Sequence, residues 1–266
     1  MVAALYGGYT LVRNLLGDDR LVAERNAHRV VRLERALRIF HERSIQHALD
    51  HDWLMQLLNA FYGLAHFIVT AAVLVWLYHR RPTAYSRWRT ALAVTTFLAL
   101  VGYALFPLMP PRLVPSTGII DALAVHGSVW SYEHGPISDI SNQFAAMPSL
   151  HVAWALWCAV AVWVHGSRGR RPAWIVRWAA ALYGLATIVT VIATGNHYVL
   201  DAVGGAMVLM LGLAVAFGRN SRRRRRGFGA EDSEAVVAAI DGDHVGGVVA
   251  AGAAGEVDRE AAEVVG

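Results

Sequence analysis

Two short motifs place ionisable side chains within apolar stretches of the sequence. They read Pro-Ser-Leu-His at residues 148–151 and His-Tyr-Val-Leu-Asp at residues 197–201. His197 and Asp201 are four residues apart, so on a helix they would share one face. The carboxylate would then orient the imidazole through one ring nitrogen and leave the other nitrogen free to react. Because ionisable groups in apolar segments are costly, we expect His151, His197 and Asp201 to be catalytic.

Arg112 and Ser149 are candidate ligands for an anion. Ser149 is positioned to cap the helix that carries His151, and free N–H groups at a helix start attract negative charge. Arg112 offers a planar guanidinium that binds two phosphate oxygens at once. Together the five residues suit phosphoryl transfer through a phospho-histidine. Two plainer interpretations stay open: Ser149 as a helix cap alone, and Arg112 as an anchor at the membrane interface.

Long uncharged runs predict that the chain crosses a membrane. Of the 266 residues, 56% are hydrophobic and 17% are charged, whereas soluble proteins have about 45–50% and about 25%. A span needs roughly 20 apolar residues, and residues 1–16 are too short to be more than a partial span or an interfacial segment. The fold class predicted is an all-α, polytopic transmembrane helix bundle of five to six spans. Its five strong spans are residues 53–78, 90–106, 147–164, 174–194 and 197–217.

The segments outside these spans have distinct compositions. Val30, Leu33, Leu37 and Phe40 recur at helical spacing within residues 20–49, which predicts an amphipathic helix. It would lie in the membrane interface or pack on the protein's own loops. Residues 227–266 are rich in Gly, Ala, Val and acids, which predicts a disordered tail. The predicted regions are a partial first span with the amphipathic helix (1–52), a membrane-embedded catalytic region (53–218), and a basic stop-transfer cluster with the acidic tail (219–266).

The distribution of Arg predicts the orientation of the spans. All 24 basic residues are Arg; segments 79–89 and 165–177 hold four each, and 219–226 holds six. By the positive-inside rule these segments face the cytoplasm of a multi-pass protein of the cell membrane. The long loop 107–146, with Arg112 as its single Arg, then faces the non-cytoplasmic side with all five candidate residues. Segment 17–52 would share that side although it holds seven Arg, which seven acids balance.

Composition also limits the alternatives. One cysteine, Cys158, excludes a disulfide or a Cys-based zinc site within one chain. Because the Arg residues cluster between apolar spans, the basic pI of about 9.5 does not indicate nucleic-acid binding. His66 has no acidic neighbour at helical spacing and is interpreted as a packing residue. A metal-dependent hydrolase with His151, His197 and Asp201 as ligands, and a non-catalytic transporter or scaffold, remain the alternative functions.

The two motifs resemble those of the type 2 phosphatidic acid phosphatase superfamily, which has Pro-Ser-x-His followed by His-x-x-x-Asp. The run at residues 146–151 and the upstream Pro-Pro-Arg-Leu at residues 110–113 look most like the inositolphosphotransferase branch, which includes inositol phosphorylceramide synthases. The resemblance covers about residues 50–217. It implies a lipid phosphatase or phosphotransferase without metal or cofactor. Its substrate would be a lipid phosphate or phospholipid, with an alcohol as a potential acceptor.

The resemblance also implies a role for each residue. His197 would be the nucleophile, Asp201 its orienting partner and His151 the general acid, with Arg112 and Ser149 binding phosphate. The sequence departs from the superfamily at two cations: Leu105 and Val191 stand at their positions, and Leu113 follows Arg112 where Pro is usual. Side chains considered as replacements for those cations are Asn142, Gln143, Asn196, His126 and His134.

Overall fold

The computed structural model describes residues 20–127, 144–166 and 172–218, all within one compact unit of residues 1–218. These ranges contain eight α-helices, two short 3-10 turns and no β-strand. The predictions of a partial first span, of a stop-transfer cluster and of a disordered tail concern residues outside them. The helices are α1 (Arg20–Ala36), α2 (Glu42–Leu49), α3 (Asp52–Arg80), α4 (Pro82–Leu105), α5 (Ala122–His126), α6 (Leu150–His165), α7 (Ala173–Ala193) and α8 (Val199–Gly218).

Four of these helices are long and apolar enough to cross a membrane. They are α3, α4, α7 and α8, and α6 is a shorter apolar helix. Large side chains such as Phe67, Phe97, Leu182 and Met207 remain exposed along the four long helices. Such apolar exposure is expected where a helix faces lipid instead of water. The predicted all-α membrane bundle is therefore confirmed.

Two helix starts lie three or more residues from the predicted ones, and α8 begins at Val199, two residues after His197. Helix α4 begins at Pro82, eight residues before the predicted start, and only Arg81 separates it from α3. In segment 79–89, Arg80 ends α3, Arg81 lies between the helices, and Arg87 and Arg89 lie in the second turn of α4. This start is favourable because Pro suits the first helical position and Arg is compatible with a helix. Helix α6 begins at Leu150 with Ser149 as its cap. The cap prediction is thus confirmed, and Pro148 lies just before the helix.

The predicted amphipathic segment consists of two helices, α1 and α2, which a break near Arg38 (φ 58°) separates. Of the predicted apolar stripe, Val30 is buried, whereas Leu33 and Leu37 are 50% and 55% exposed. The buried face of α1 instead includes Ala23, Ala27, Val30 and Glu34. The small side chains let α1 approach the segment that follows α4, where Met109 N–H donates to Ala23 O at 3.3 Å. Helix α1 thus packs on the segment that follows α4, and a position in the membrane interface stays a prediction.

Buried amide side chains hold the segment between α4 and α5. Asn26 Nδ2 donates to Pro107 O at 2.9 Å, and Asn59 Nδ2 donates to Ala122 O at 3.0 Å. Gln46 exchanges two hydrogen bonds with the backbone of Ile120 and donates a third to Ala193 O. Backbone groups in a buried loop need such partners. The three amides therefore attach this segment to α1, α2, α3 and the end of α7.

Candidate active site

The turn between α7 and α8 precedes the His197 motif and is held from both sides. Gly195 has φ 73°, a left-handed conformation that glycine adopts without strain. A Cβ atom there would lie 2.8 Å from Ile119 Cγ2 and 3.1 Å from Arg112 Cβ. Arg112 N–H donates to Gly195 O at 2.9 Å, and His197 N–H donates to Val191 O at 3.0 Å. The α4–α5 segment therefore docks directly on the turn that presents His197.

His197 and Asp201 form the buried pair that their spacing predicts. His197 Nδ1–H donates to Asp201 Oδ2 at 3.3 Å, and the same oxygen accepts the Tyr198 N–H at 2.9 Å. The two side chains are 4% and 0% exposed. His197 Nε2 is buried and has no hydrogen-bond partner among the described residues. One nitrogen of the ring is thus oriented by the carboxylate, and the other is available to a reacting group.

His151 faces His197 from the start of α6. The centroids of the two rings are 5.7 Å apart, with planes inclined by 58°. A backbone hydrogen bond joins the motifs, since Ser149 N–H donates to Asp201 O at 3.0 Å. A Cβ atom on Gly205 would lie 2.5 Å from Ser149 O, so glycine permits the close approach of α8 to α6. The structure therefore brings together all three residues predicted to be catalytic.

Two rings of α3 also belong to the site. The Tyr62 ring stacks on the His151 ring with centroids 4.1 Å apart. The centroid of the His66 ring also lies 4.1 Å from that of the His151 ring. His66 Nδ1–H donates to Tyr62 O at 3.0 Å. The packing role predicted for His66 thus includes contact with His151. Sequence reasoning missed Tyr62, although its spacing of one turn from an ionisable residue inside a span is a usable signal.

Arg112 is engaged by neighbouring polar groups. Its Nε donates to Asn196 Oδ1 at 3.0 Å, and its Nη1 pairs with Asp121 Oδ2. Asp121 also caps α5 by accepting the N–H of Leu123 and Ala124. A phosphate would therefore reach the guanidinium through Nη2 or by replacing Asp121. The sequence did not indicate Asp121, because it lies nine residues from Arg112 on a different turn.

Ser149 is fully buried, and its hydroxyl accepts the Val152 N–H at 3.4 Å. The helix-cap interpretation thus describes its contacts in this structure. The two residues that stand where the superfamily has cations differ in their exposure. Leu105 is 79% exposed, whereas Val191 is buried.

Only one of the side chains considered as replacements for those cations meets a site residue within the described ranges. This is Asn196, which contacts Arg112. His126 instead lies between Asp50 and Asp52, with both ring nitrogens at 2.9 Å from a carboxylate oxygen. Asn142, Gln143 and His134 lie outside the described residues.

Two buried glutamates contact the start of α8 and were not predicted. Glu42 Oε1 accepts the Val199 N–H at 3.0 Å, and Glu34 Oε1 accepts the Leu200 N–H at 2.8 Å. Burial, and then the adjoining Glu42 carboxyl, raises the pKa of Glu34 to about 9. Their local sequence suggests exposed positions, since both lie in a segment rich in Arg. No group of three or more His, Cys, Asp or Glu side chains is arranged to hold a metal ion within the described part of the chain.

Comparison with known proteins gives one match. A family model described as the PAP2 superfamily matches residues 28–215, more than half of the chain. No curated protein and no solved structure matches the chain. The matched range begins within α1, so it extends beyond the predicted range of about 50–217. It includes Glu34 and Glu42 as well as the five predicted site residues.

Proposed function

The chain belongs to the PAP2 superfamily, the type 2 phosphatidic acid phosphatases, and from this premise we propose that it cleaves or transfers the phosphate group of a lipid through a phospho-histidine. The superfamily and the apolar helices indicate a membrane lipid phosphatase. The covalent intermediate, the residue roles and the side of the membrane belong to the proposal. His197 is assigned as nucleophile, His151 as general acid and Asp201 as the residue that orients His197.

In the first step, His197 Nε2 attacks the phosphorus atom of the lipid phosphate. An N–P bond forms while the P–O bond to the leaving alcohol breaks, and the leaving oxygen takes a proton from the His151 imidazolium. Asp201 Oδ2 stabilises the positive charge that develops on the His197 ring. Arg112 and the start of α6 bind the phosphoryl oxygens, where negative charge accumulates.

In the second step, neutral His151 removes a proton from water or from an acceptor alcohol. The oxygen of that molecule attacks phosphorus, the N–P bond breaks, and its electron pair returns to His197 Nε2. Water yields the hydrolysed product, whereas an alcohol yields a new phosphate ester. Hydrolysis and transfer therefore share one phospho-enzyme and differ only in the acceptor.

The observation that best supports this proposal is the position of two imidazoles from separate segments, His151 at the start of α6 and His197 just before α8. Their ring centroids are 5.7 Å apart; His197 Nε2 is buried and has no partner in the described part of the chain, while Asp201 engages Nδ1 of the same ring. Reacting atoms need to approach to about 3–3.5 Å. A tetrahedral phosphoryl group between the rings would put phosphorus near one nitrogen and the leaving oxygen near the other.

The finer proposal is an inositolphosphotransferase-like activity at the non-cytoplasmic face of the cell membrane. It rests on the sequence runs at residues 110–113 and 146–151. Parts of both runs, Leu113 and Ala146, pack in the same hydrophobic cluster as Leu108 and Tyr198. The segments that carry the branch resemblance thus adjoin the His197 motif. An alcohol acceptor is the chemical feature that separates this branch from a simple phosphatase.

The test is an assay of the purified protein in detergent against a panel of lipid phosphates and phospholipids. EDTA is present, and polyols such as inositol are added as acceptors in parallel reactions. We expect phosphate release or a new phosphate ester from the wild type, and none from His197→Asn or His151→Gln. Loss of wild-type activity on chelation, with recovery on adding a divalent metal, would support the metal-dependent alternative. Full activity of either variant would contradict the proposal.

A further inference from the structure

The two glutamates at the start of α8 form a buried carboxyl pair contributed by two different helices. Glu34 lies on α1 and Glu42 on α2, and both are 0% exposed. The ion pairs formed by the described residues include neither of them. Burying two adjacent negative charges without a cation is strongly unfavourable. The pair therefore requires a physical means of reducing its charge.

The pair completes a set of carboxylate acceptors along the first turn of α8. Tyr198 N–H donates to Asp201 Oδ2, Val199 N–H to Glu42 Oε1 and Leu200 N–H to Glu34 Oε1, at 2.9, 3.0 and 2.8 Å. These three N–H groups lie between His197 and Asp201 in the sequence. N–H groups at a helix start have no partner within the helix. Glu34 and Glu42 thus hold the turn that sets the spacing of the nucleophile and its partner.

The remaining oxygens of the pair indicate where a proton belongs. Glu34 Oε2 and Glu42 Oε2 are buried and have no hydrogen-bond partner among the described residues. If one of the two Oε2 atoms carried a proton, it could donate a hydrogen bond to the Oε2 atom of the other glutamate. Burial and the proximity of Glu42 raise the pKa of Glu34 to about 9, so this group keeps its proton at neutral pH. The titratable groups that affect Glu34 are Glu42 of α2 and Asp201 of α8, and Tyr198 before α8 is affected in turn.

We propose that Glu34 and Glu42 share one proton and act as positioning residues that hold the His197–Asp201 turn against α1 and α2. One neutral carboxylic acid and one carboxylate satisfy both backbone N–H groups and leave a single negative charge on the pair. Loss of the shared proton would place two negative charges side by side and push α1 and α2 apart, which would disturb the turn of α8 that both helices hold. The catalytic part of this inference rests on the proposed function, whereas the shared proton can be tested without any activity.

Amide substitutions test the shared proton. In Glu34→Gln, the amide oxygen can accept the Leu200 N–H and the amide nitrogen can donate to Glu42, so the variant imitates the protonated acid. We expect kcat within about threefold of wild type for this variant. Glu34→Ala removes the acceptor, and Glu34→Gln/Glu42→Gln brings two amide nitrogens together. For both we expect kcat to fall on the order of 10- to 100-fold with a smaller change in KM, since small misplacements of reacting groups have such effects.

The pH profile separates this role from general support of the fold. Wild-type kcat should fall on the alkaline side as Glu34 loses its proton, near the pKa of about 9. Glu34→Gln has no proton to lose and should lack this alkaline fall. The matched control is Glu24→Gln, because Glu24 lies on the same helix at 40% exposure and pairs with His28, away from the start of α8. It should keep the wild-type profile.

Thermal unfolding in detergent gives a readout that needs no substrate. The folded-state pKa of Glu34 lies above its ordinary value of 4.5. Its contribution to stability is therefore complete below pH 4.5 and is lost as pH rises toward 9. We expect the melting temperature of wild type and of Glu24→Gln to fall over this interval more steeply than that of Glu34→Gln.

Two results would overturn the inference. The first is that Glu34→Gln is as inactive as Glu34→Ala, which would mean that a full negative charge is needed at this position. The second is that melting profiles of wild type and Glu34→Gln run parallel from pH 5 to about pH 9, the pKa of Glu34. A wild type inactive on every lipid would contradict the proposed function, and the melting profiles would still decide the shared proton.

Discussion

At the residue scale, the chemistry depends on which nitrogen of His197 is free. Asp201 Oδ2 accepts from both His197 Nδ1 and the Tyr198 backbone N–H. One carboxylate therefore orients the His197 ring and fixes the start of α8, which follows His197. Both donors reach Oδ2, whereas the buried Oδ1 has no hydrogen-bond partner among the described residues, so burial of this carboxylate is only partly compensated.

Replacing Asp201 by Asn should separate charge from shape. The amide is nearly the same size, but it carries no negative charge to stabilise the His197 imidazolium. We expect kcat to fall on the order of 10²- to 10⁴-fold, the range of acid–base and orienting groups. The measurement is a steady-state assay beside thermal unfolding of the same preparation. Asp52→Asn, at a side chain 89% exposed, is the control, and activity of Asp201→Asn equal to it would contradict the assigned role.

Arg112 offers a second residue-scale test, because Asp121 neutralises it. Asp121→Asn removes the charge but keeps an oxygen that can accept the Leu123 and Ala124 N–H groups. Competitive inhibition by inorganic phosphate should then strengthen about two- to tenfold, in line with about 1 kcal/mol for a partly exposed ion pair. The control is Asp50→Asn, because Asp50 pairs with His126 and not with Arg112. This substitution should leave inhibition by phosphate unchanged. Weaker inhibition in Asp121→Asn would show that Asp121 supports phosphate binding.

At the scale of helices and turns, local signals predicted the motif helices well. Ser149 was expected to cap the helix of His151, and the structure shows that cap. The four-residue spacing predicted that His197 and Asp201 meet, and they do, although His197 lies two residues before α8 and not on the helix. Both features depend on neighbours within one turn, which a sequence displays directly.

Features that depend on distant contacts were not predicted. Glu34 lies 166 residues before its partner Leu200, and its neighbours in the sequence suggest a solvated face. Leu33 and Leu37 fit a helical apolar stripe, yet the buried face of α1 is set by Ala23 and Ala27. Small residues such as these alanines let a helix approach its neighbour closely. The spacing of large apolar residues does not reveal which face makes that approach.

The α7–α8 turn provides a prediction at this scale. Gly195→Ala imposes a positive φ on a residue with a Cβ, which costs about 1–3 kcal/mol, and the Cβ also meets Ile119 and Arg112. We expect a lower melting temperature and reduced activity, because the turn presents His197. Gly118→Ala is the matched control, since Gly118 has φ 67° but its close neighbour is the flexible Arg43 side chain. Equal effects of the two substitutions would show that the contacts of Gly195 are unimportant.

At the scale of the whole molecule, the site residues gather at one end of the helices. The end of α4, the starts of α6 and α8 and the end of α7 meet there through Arg112, Ser149 and Gly195. At the other end, Trp88 near the start of α4 donates to His165 at the end of α6. The Arg distribution predicts that the site end is non-cytoplasmic.

Thiol labelling of intact cells tests that orientation. Cys158 is buried, so the unmodified chain serves as the unlabelled background. Ser116→Cys places an exposed thiol near Arg112, and Ser86→Cys places one on α4 near Trp88. An impermeant maleimide should label Ser116→Cys in intact cells and Ser86→Cys only after permeabilisation. The reverse pattern would put the site on the cytoplasmic side.

The central claim is that His197 becomes covalently phosphorylated. Rapid quenching of the detergent-purified enzyme with a lipid phosphate labelled in its phosphoryl group, in the presence of EDTA, tests this most directly. We expect an acid-labile, alkali-stable label that peptide mapping assigns to His197 and that is missing in His197→Asn. Steady turnover by the wild type without any label on His197 at the earliest times would contradict the account.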